Sequence, residues 1–140
     1  MRFKHKKSGF TLLEIIIVII IVGVLASLAL PRFFRTVEYS RSTEAMQSLS
    51  SIRNSVERCY LQRSSYATCN AFSSLDLADP GATAGSLFAY TFTGTWNAAN
   101  FQLTATRNTV DGGDGASTVR LTSAAGDVTR SGTGAFSGIQ

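Results

Sequence analysis

The chain is poor in residues that do chemistry. Its one histidine, His5, lies in the first nine residues, so the part that folds has no His–Cys pair and no His-centred metal site. No nucleophile–base pair and no glycine-rich phosphate loop occurs in the 140 residues. These absences argue against an enzyme and call for no cofactor and no metal. Cysteine is limited to Cys59 and Cys69, at a spacing that matches no metal motif. Acidic residues are missing before Gly9, where four of the 13 Lys and Arg lie (Arg2, Lys4, Lys6, Lys7). The nine cations that remain face 9 Asp and Glu, so the formal +4 charge belongs to the leader, and the neutral remainder predicts no nucleic-acid partner.

What the chain does have is one long apolar run. Met1 to Gly9 is cationic, too short and too polar to fold, and reads as a leader that the positive-inside bias keeps in the cytoplasm. Phe10 to Leu30, FTLLEIIIVIIIVGVLASLAL, supplies roughly the ~20 residues of a membrane-spanning helix. Its β-branched stretch Ile15–Val22 would suit a strand in water. In lipid, every backbone group must be paired within the segment, which selects a helix. Gly23, Ser27 and Pro31 weaken that helix and predict a kink or local unwinding. A cleaved secretory signal also has a basic start and an apolar core. Here the core is long, no small-x-small cleavage site follows it, and Glu14 puts a charge inside it.

After Pro31 the pattern turns amphipathic. Ala45, Leu49, Ile52, Val56, Cys59 and Tyr60 recur at steps of three and four, which predicts a soluble continuation of the helix to about Gln62. A membrane-directed N-terminus implies an oxidising compartment and hence a Cys59–Cys69 disulfide stapling a polar loop to the helix end. Asp79-Pro80-Gly81 marks a turn. Alternating β-branched and aromatic runs over 87–93, 101–106 and 118–122, with 127–130 as a possible fourth, predict an antiparallel meander within about 86–131. Only the helix stripe can cover its apolar face. The expected fold is α+β: a long N-terminal helix, transmembrane in its first half and amphipathic in its second, packed on a C-terminal antiparallel sheet of three to four strands.

Gly9-Phe10-Thr11-Leu12-Leu13-Glu14 behind a basic leader, an apolar helix with Gly23 and Pro31, an amphipathic continuation and a C-terminal sheet together resemble a type IV pilin precursor or its relative, a type II secretion pseudopilin. The resemblance is specific over residues 1 to about 60 and architectural beyond. It implies three segments: a leader (1–9), a transmembrane and assembly helix (10–31) and a periplasmic or extracellular globular domain (32–140). It implies cleavage between Gly9 and Phe10 by a prepilin peptidase, N-methylation of the Phe10 amine, and polymerisation with other pilin subunits through an inner-membrane assembly platform. The precursor would be a single-pass inner-membrane protein and the product an extracellular pilus filament. Phe10, Glu14, Gly23 and Pro31 are the assembly residues by this resemblance. Glu14 meets a neighbour's Phe amine, or is satisfied within its own helix by its own amine or the N-terminal dipole. Gly23 and Pro31 mark either a segment that melts in the filament or a simple proline kink. A pseudopilin of a periplasmic pseudopilus is the alternative function.

Three further features have ordinary readings. Asp111-Gly112-Gly113-Asp114-Gly115 carries only two carboxylates and is read as a hairpin loop in preference to a calcium site. Phe33, Phe34, Tyr39, Tyr60 and Tyr66 are read as packing between helices. Arg32, Arg35 and Arg41, with Glu38 and Glu44, read as a solvated helix face, with headgroup contact or ion pairs between subunits as alternatives.

Overall fold

The computed structural model describes residues 10–139. Helix α1 runs over Leu12–Arg63, with Pro31 inside it. At its C-terminus Ser64 takes the left-handed conformation at φ 53°, and its N–H donates to the Tyr60 carbonyl at 2.7 Å, which stops the helix. Contacts divide the chain between Thr36 and Val37 into two units.

In the unit from Val37 onward, four strands follow the helix: β1 (Phe88–Thr93), β2 (Asn100–Arg107), β3 (Thr118–Ala124) and β4 (Asp127–Gly132). They pair consecutively and antiparallel in the order β1-β2-β3-β4. The meander and its fourth strand therefore match the alternation in the sequence. β3 and β4 are joined by Ala125 and Gly126 at φ 51° and 90°, a two-residue connection whose twist suits the flanking strands. A left-handed alanine is strained relative to glycine, so pairing on both sides must hold it in place.

Period-two alternation sends Phe88, Tyr90, Phe101, Leu103, Ala105, Val119 and Leu121 to one face, where they form a single buried cluster with Ala45, Leu49, Ile52, Val56 and Cys59 of α1. Two hydroxyls also lie on the buried helix stripe, Ser42 and Ser55. The opposite sheet face is hydroxyl-rich. Thr93 and Thr104 share a hydrogen bond at 2.6 Å, Thr93 donates to Gln102, and Gln102 donates to Thr122 at 2.9 Å.

Aromatic rings close one end of the core. Tyr60 stacks on Tyr66 at 4.3 Å, Tyr66 meets Phe101 at 4.8 Å, and Trp96 lies 5.4 Å from both Phe101 and Phe92. Burial, and then donation to Glu57 at 2.9 Å, pushes the Tyr66 hydroxyl up to about 12. Tyr60 and Tyr66 thus pack on each other and on the sheet, which corrects the expectation that they pack between helices. Phe33, Phe34 and Tyr39 are exposed.

Candidate assembly site

The start of α1 is set by Thr11, whose Oγ1 accepts from the Glu14 N–H at 3.3 Å. Thr-x-x-Glu is the sequence pattern of a capping box, in which the glutamate would return a bond to the cap residue. Here the Glu14 carboxylate accepts no hydrogen bond and joins no ion pair among the described residues. Phe10 is 77% exposed. Gly9 and the leader lie outside the described residues.

From Leu12 to Leu30 the helix has a mean hydropathy of 3.0 in its most apolar window, none of it buried. Ile15 to Ile21 and Val22, Val24, Leu25, Leu28 and Leu30 are all exposed, on every side of the helix. A helix apolar all round needs a nonaqueous neighbour, either lipid or other helices like itself. Gly23 lies in this stretch, and a Cβ built there would meet nothing within 4 Å. No close approach among the described residues accounts for its glycine.

Beyond Thr36, the helix is tied to the sheet by charge. Arg107 is 1% exposed; its Nε donates to Glu38 Oε2 at 2.9 Å and its Nη2 to Glu38 Oε1 at 3.2 Å. Its Nη1 donates to the carbonyls of Leu87 and Asn108, both at 3.1 Å. Arg41 bonds Glu38 Oε1 at 2.7 Å and the Asp111 carbonyl at 2.9 Å. The Arg107 hydrogen bond, reinforced by the charges of both arginines, holds the Glu38 carboxyl below its ordinary value despite partial burial. This corrects the solvated-face reading for Glu38 and Arg41.

The 111–115 segment packs against this network. A Cβ on Gly113 would come within 2.7 Å of Arg107 Cζ, so only glycine fits there. Asp114 accepts from the Ser117 hydroxyl, from Ser117 N at 2.8 Å and from Ala116 N at 3.0 Å, and these bonds lower its carboxyl to about 2. Its oxygens are spent on the turn. Among the described residues no group of three or more His, Cys, Asp or Glu could hold a metal.

Cys59 and Cys69 form a disulfide with Cα atoms 6.0 Å apart. The loop it closes is held a second time downstream, where Asp76 pairs with Arg58 at 2.6 Å and accepts from the Ser55 hydroxyl. The bond from Arg58 and then that from Ser55 hold the Asp76 carboxyl far below its ordinary value. Sequence reasoning missed Ser55, Arg58 and Asp76 as a set, because helix and loop positions 18 to 21 apart carry no pattern linking them.

Comparison with known proteins agrees with this arrangement. Residues 31–119 match a family model described as "Type IV minor pilin ComP, DNA uptake sequence receptor", and residues 4–30 match one described as "Prokaryotic N-terminal methylation motif". Type II secretion system core protein G of Escherichia coli (strain K12) is 39% identical over 70 residues, covering 50% of this chain and 48% of that protein. Type IV major fimbrial protein FimA of Dichelobacter nodosus is 31% identical over 84 residues, 59% of this chain and 54% of that protein. Type IV major pilin protein PilA of Myxococcus xanthus (strain DK1622) is 32% identical over 66 residues, 47% of this chain and 30% of that protein. The chain thus spans about half or less of the length of these relatives. No solved structure matches.

Proposed function

Because this chain belongs to the type IV minor pilin family whose model covers residues 31–119, we propose that it is a subunit of a type IV pilus, cleaved between Gly9 and Phe10, methylated on the Phe10 amine and polymerised into a surface filament. Membership of the pilin and pseudopilin superfamily makes it a structural protein and not an enzyme. The methylation motif implies processing by a prepilin peptidase and assembly with other pilin subunits. The apolar N-terminal helix implies membrane anchoring of the precursor.

The observation that carries the proposal is the Glu14 carboxylate, without a partner among the described residues, on a helix exposed all round. An ionised group at the bilayer centre costs about 3 kcal/mol on insertion scales, and less near the interface, unless a partner neutralises it. Cleavage before Phe10 creates a cationic amine one helical turn away, and the amine of a neighbouring copy can reach Glu14 when the helices are staggered. Leaving lipid for a bundle of like helices yields little hydrophobic gain, so packing and this neutralisation must favour the filament. A head-to-tail contact that does not close extends without limit.

The test is assembly. In a deletion strain complemented with Glu14→Gln or Glu14→Ala, filaments visible by electron microscopy should be lost while the chain is still processed to a methylated Phe10. Normal filament yield from either variant would refute the role of Glu14, and a mature protein beginning at Met1 would refute the scheme.

Two finer roles have support. The likeness to core protein G supports a pseudopilin as the alternative, which secretion assays in the same strain would separate from a pilin. The DNA uptake in the family description extends the proposal to a nucleic-acid partner, which the charge balance after Gly9 did not predict. Natural transformation lost on deletion, with DNA retained by purified filaments, would support that role.

A further inference from the structure

On one face of α1, Ser27, Leu28, Pro31, Arg32 and Arg35 line a recess of about 300 Å³. The spacing of these residues brings the two arginines onto the same side, one turn apart. Arg41, Arg53, Arg58 and Arg107 each have a carboxylate within 4.0 Å, whereas Arg32 and Arg35, like Arg63, Arg120 and Arg130 of the other unit, have none among the described residues. The nearest acid in sequence, Glu38, is taken by Arg107 and Arg41.

Position gives this unpaired charge a meaning. Leu12 to Leu30 spans ~28 Å at ~1.5 Å per residue, close to the ~30 Å hydrocarbon thickness of a bilayer. Arg32 and Arg35 therefore fall at headgroup depth, on the side opposite the basic leader. Cations there run against the usual bias of charge around a membrane helix and need a local reason. Guanidinium groups match a phosphodiester by bidentate hydrogen bonds. Pro31 has no N–H, so the Ser27 carbonyl loses its helical donor and is left as an acceptor for a headgroup hydroxyl.

We propose that this recess binds the phosphate of an anionic phospholipid of the leaflet opposite the leader, with Arg32 and Arg35 on the phosphate and Leu28 against the first acyl carbons. The site rests on the membrane-anchored stage of the function proposed above. It acts before assembly, because the lipid must leave when the helix enters a filament.

Native mass spectrometry of the full chain released from detergent tests it, with phosphatidylglycerol, phosphatidylcholine and inorganic phosphate as separate probes. Phosphatidylglycerol should be retained as a single adduct in preference to phosphatidylcholine. Each Arg→Gln substitution should weaken it roughly fivefold, and Arg32→Gln with Arg35→Gln about 25-fold, while Arg120→Gln leaves it unchanged. The double Arg→Lys variant, which keeps the charge but not the bidentate fork, should fall between the wild type and the double Arg→Gln variant, and Lys equal to wild type would overturn the bidentate contact. Equal retention of phosphatidylglycerol by the double Arg→Gln variant, or of phosphatidylcholine by the wild type, overturns the site. Inorganic phosphate bound as tightly as the lipid overturns the lipid as its ligand. Carbonate extraction of the chain from vesicles separates the two levels: a chain washed out of the bilayer overturns anchoring and site together, and a chain that stays but does not discriminate lipids overturns the site alone.

Discussion

The guanidinium of Arg107, 1% exposed, makes a bidentate pair with the Glu38 carboxylate across 69 positions of sequence, joining the helix to the end of β2. Removing one partner of such a pair leaves the other uncompensated, which costs about 3 kcal/mol or more for buried ions. Arg107→Ala leaves Glu38, 22% exposed and still paired with Arg41, so it should fall near the lower end of that range, and Glu38→Ala, which strands the 1% exposed Arg107, above it. Thermal unfolding of the full chain followed by circular dichroism at 222 nm reads the difference. The double replacement Glu38→Gln with Arg107→Met should be milder than either single change to alanine.

The same pair carries a pH dependence. The folded Glu38 carboxyl lies below its ordinary 4.5, so its contribution is complete above that value and disappears as pH falls through the folded value. The Tm should therefore drop on acidification below about pH 4.5, and in Glu38→Gln that drop should be shallower by the share Glu38 contributes. A wild-type-like acid limb in Glu38→Gln would assign the loss to other carboxylates, Asp76 and Asp114 first.

Much of this architecture is legible in the chain, and what is missed has a common cause. Steps of three and four from Ala45 to Cys59 give the buried helix face, and alternation gives the four strands, because both patterns are local. The alternation Phe101, Leu103, Ala105 continues to Arg107 and places it inward with them. That signal was available, but an arginine at the end of a strand reads as solvated unless its distant partner is known. Glu38 is the same case on the helix, where its neighbours Arg35 and Arg41 suggest a wet surface. Ser42 and Ser55 sit on the buried stripe, but small hydroxyls leave no apolar mark. Glu14 is legible in the opposite way: its chemistry shows in the sequence, and no partner for it lies among the described residues.

Asp114 governs the 111–115 loop through its bonds to Ala116 and Ser117. Asp114→Ala should cost about 1 kcal/mol by the loss of partly exposed hydrogen bonds and increase amide exchange at Ala116 and Ser117. Its folded value of about 2 is depressed from 3.8, so this contribution is present above 3.8 and lost as pH falls toward 2. With its carboxylate occupied by the turn, calcium or chelator should leave the Tm unchanged. A calcium-dependent rise in Tm would show that the loop reorganises around an ion.

The Cys59–Cys69 bridge closes a short loop, with a sequence separation of 10. The chain-entropy relation gives about 3 kcal/mol or slightly less for a loop of this size. Cys59→Ala with Cys69→Ala should lower stability by about that amount without unfolding the sheet, because Asp76 still clamps the downstream segment to Arg58 and Ser55. Since Cys59 and Cys69 are 5% and 0% exposed, the native chain should resist mild reductant that reduces it readily in denaturant. Rapid reduction of the native chain would show that this end of the domain opens far more often than its packing implies.

Gly23 separates the needs of the chain from those of the filament. A Cβ at this position meets nothing within 4 Å, and glycine inside a helix costs roughly 0.5–1 kcal/mol relative to alanine. Gly23→Ala should therefore make the isolated helix more stable and leave the globular domain unchanged, as read by circular dichroism in detergent. If glycine is retained for close approach of neighbouring helices or for local unwinding during assembly, the same substitution should reduce filament yield despite the stabler helix. Bulk separates the two causes: Gly23→Ala and Gly23→Val should differ greatly in yield if contact decides, and little if helix weakness decides. Normal yield from both variants would remove Gly23 from the assembly residues and leave Pro31 as the candidate weak point.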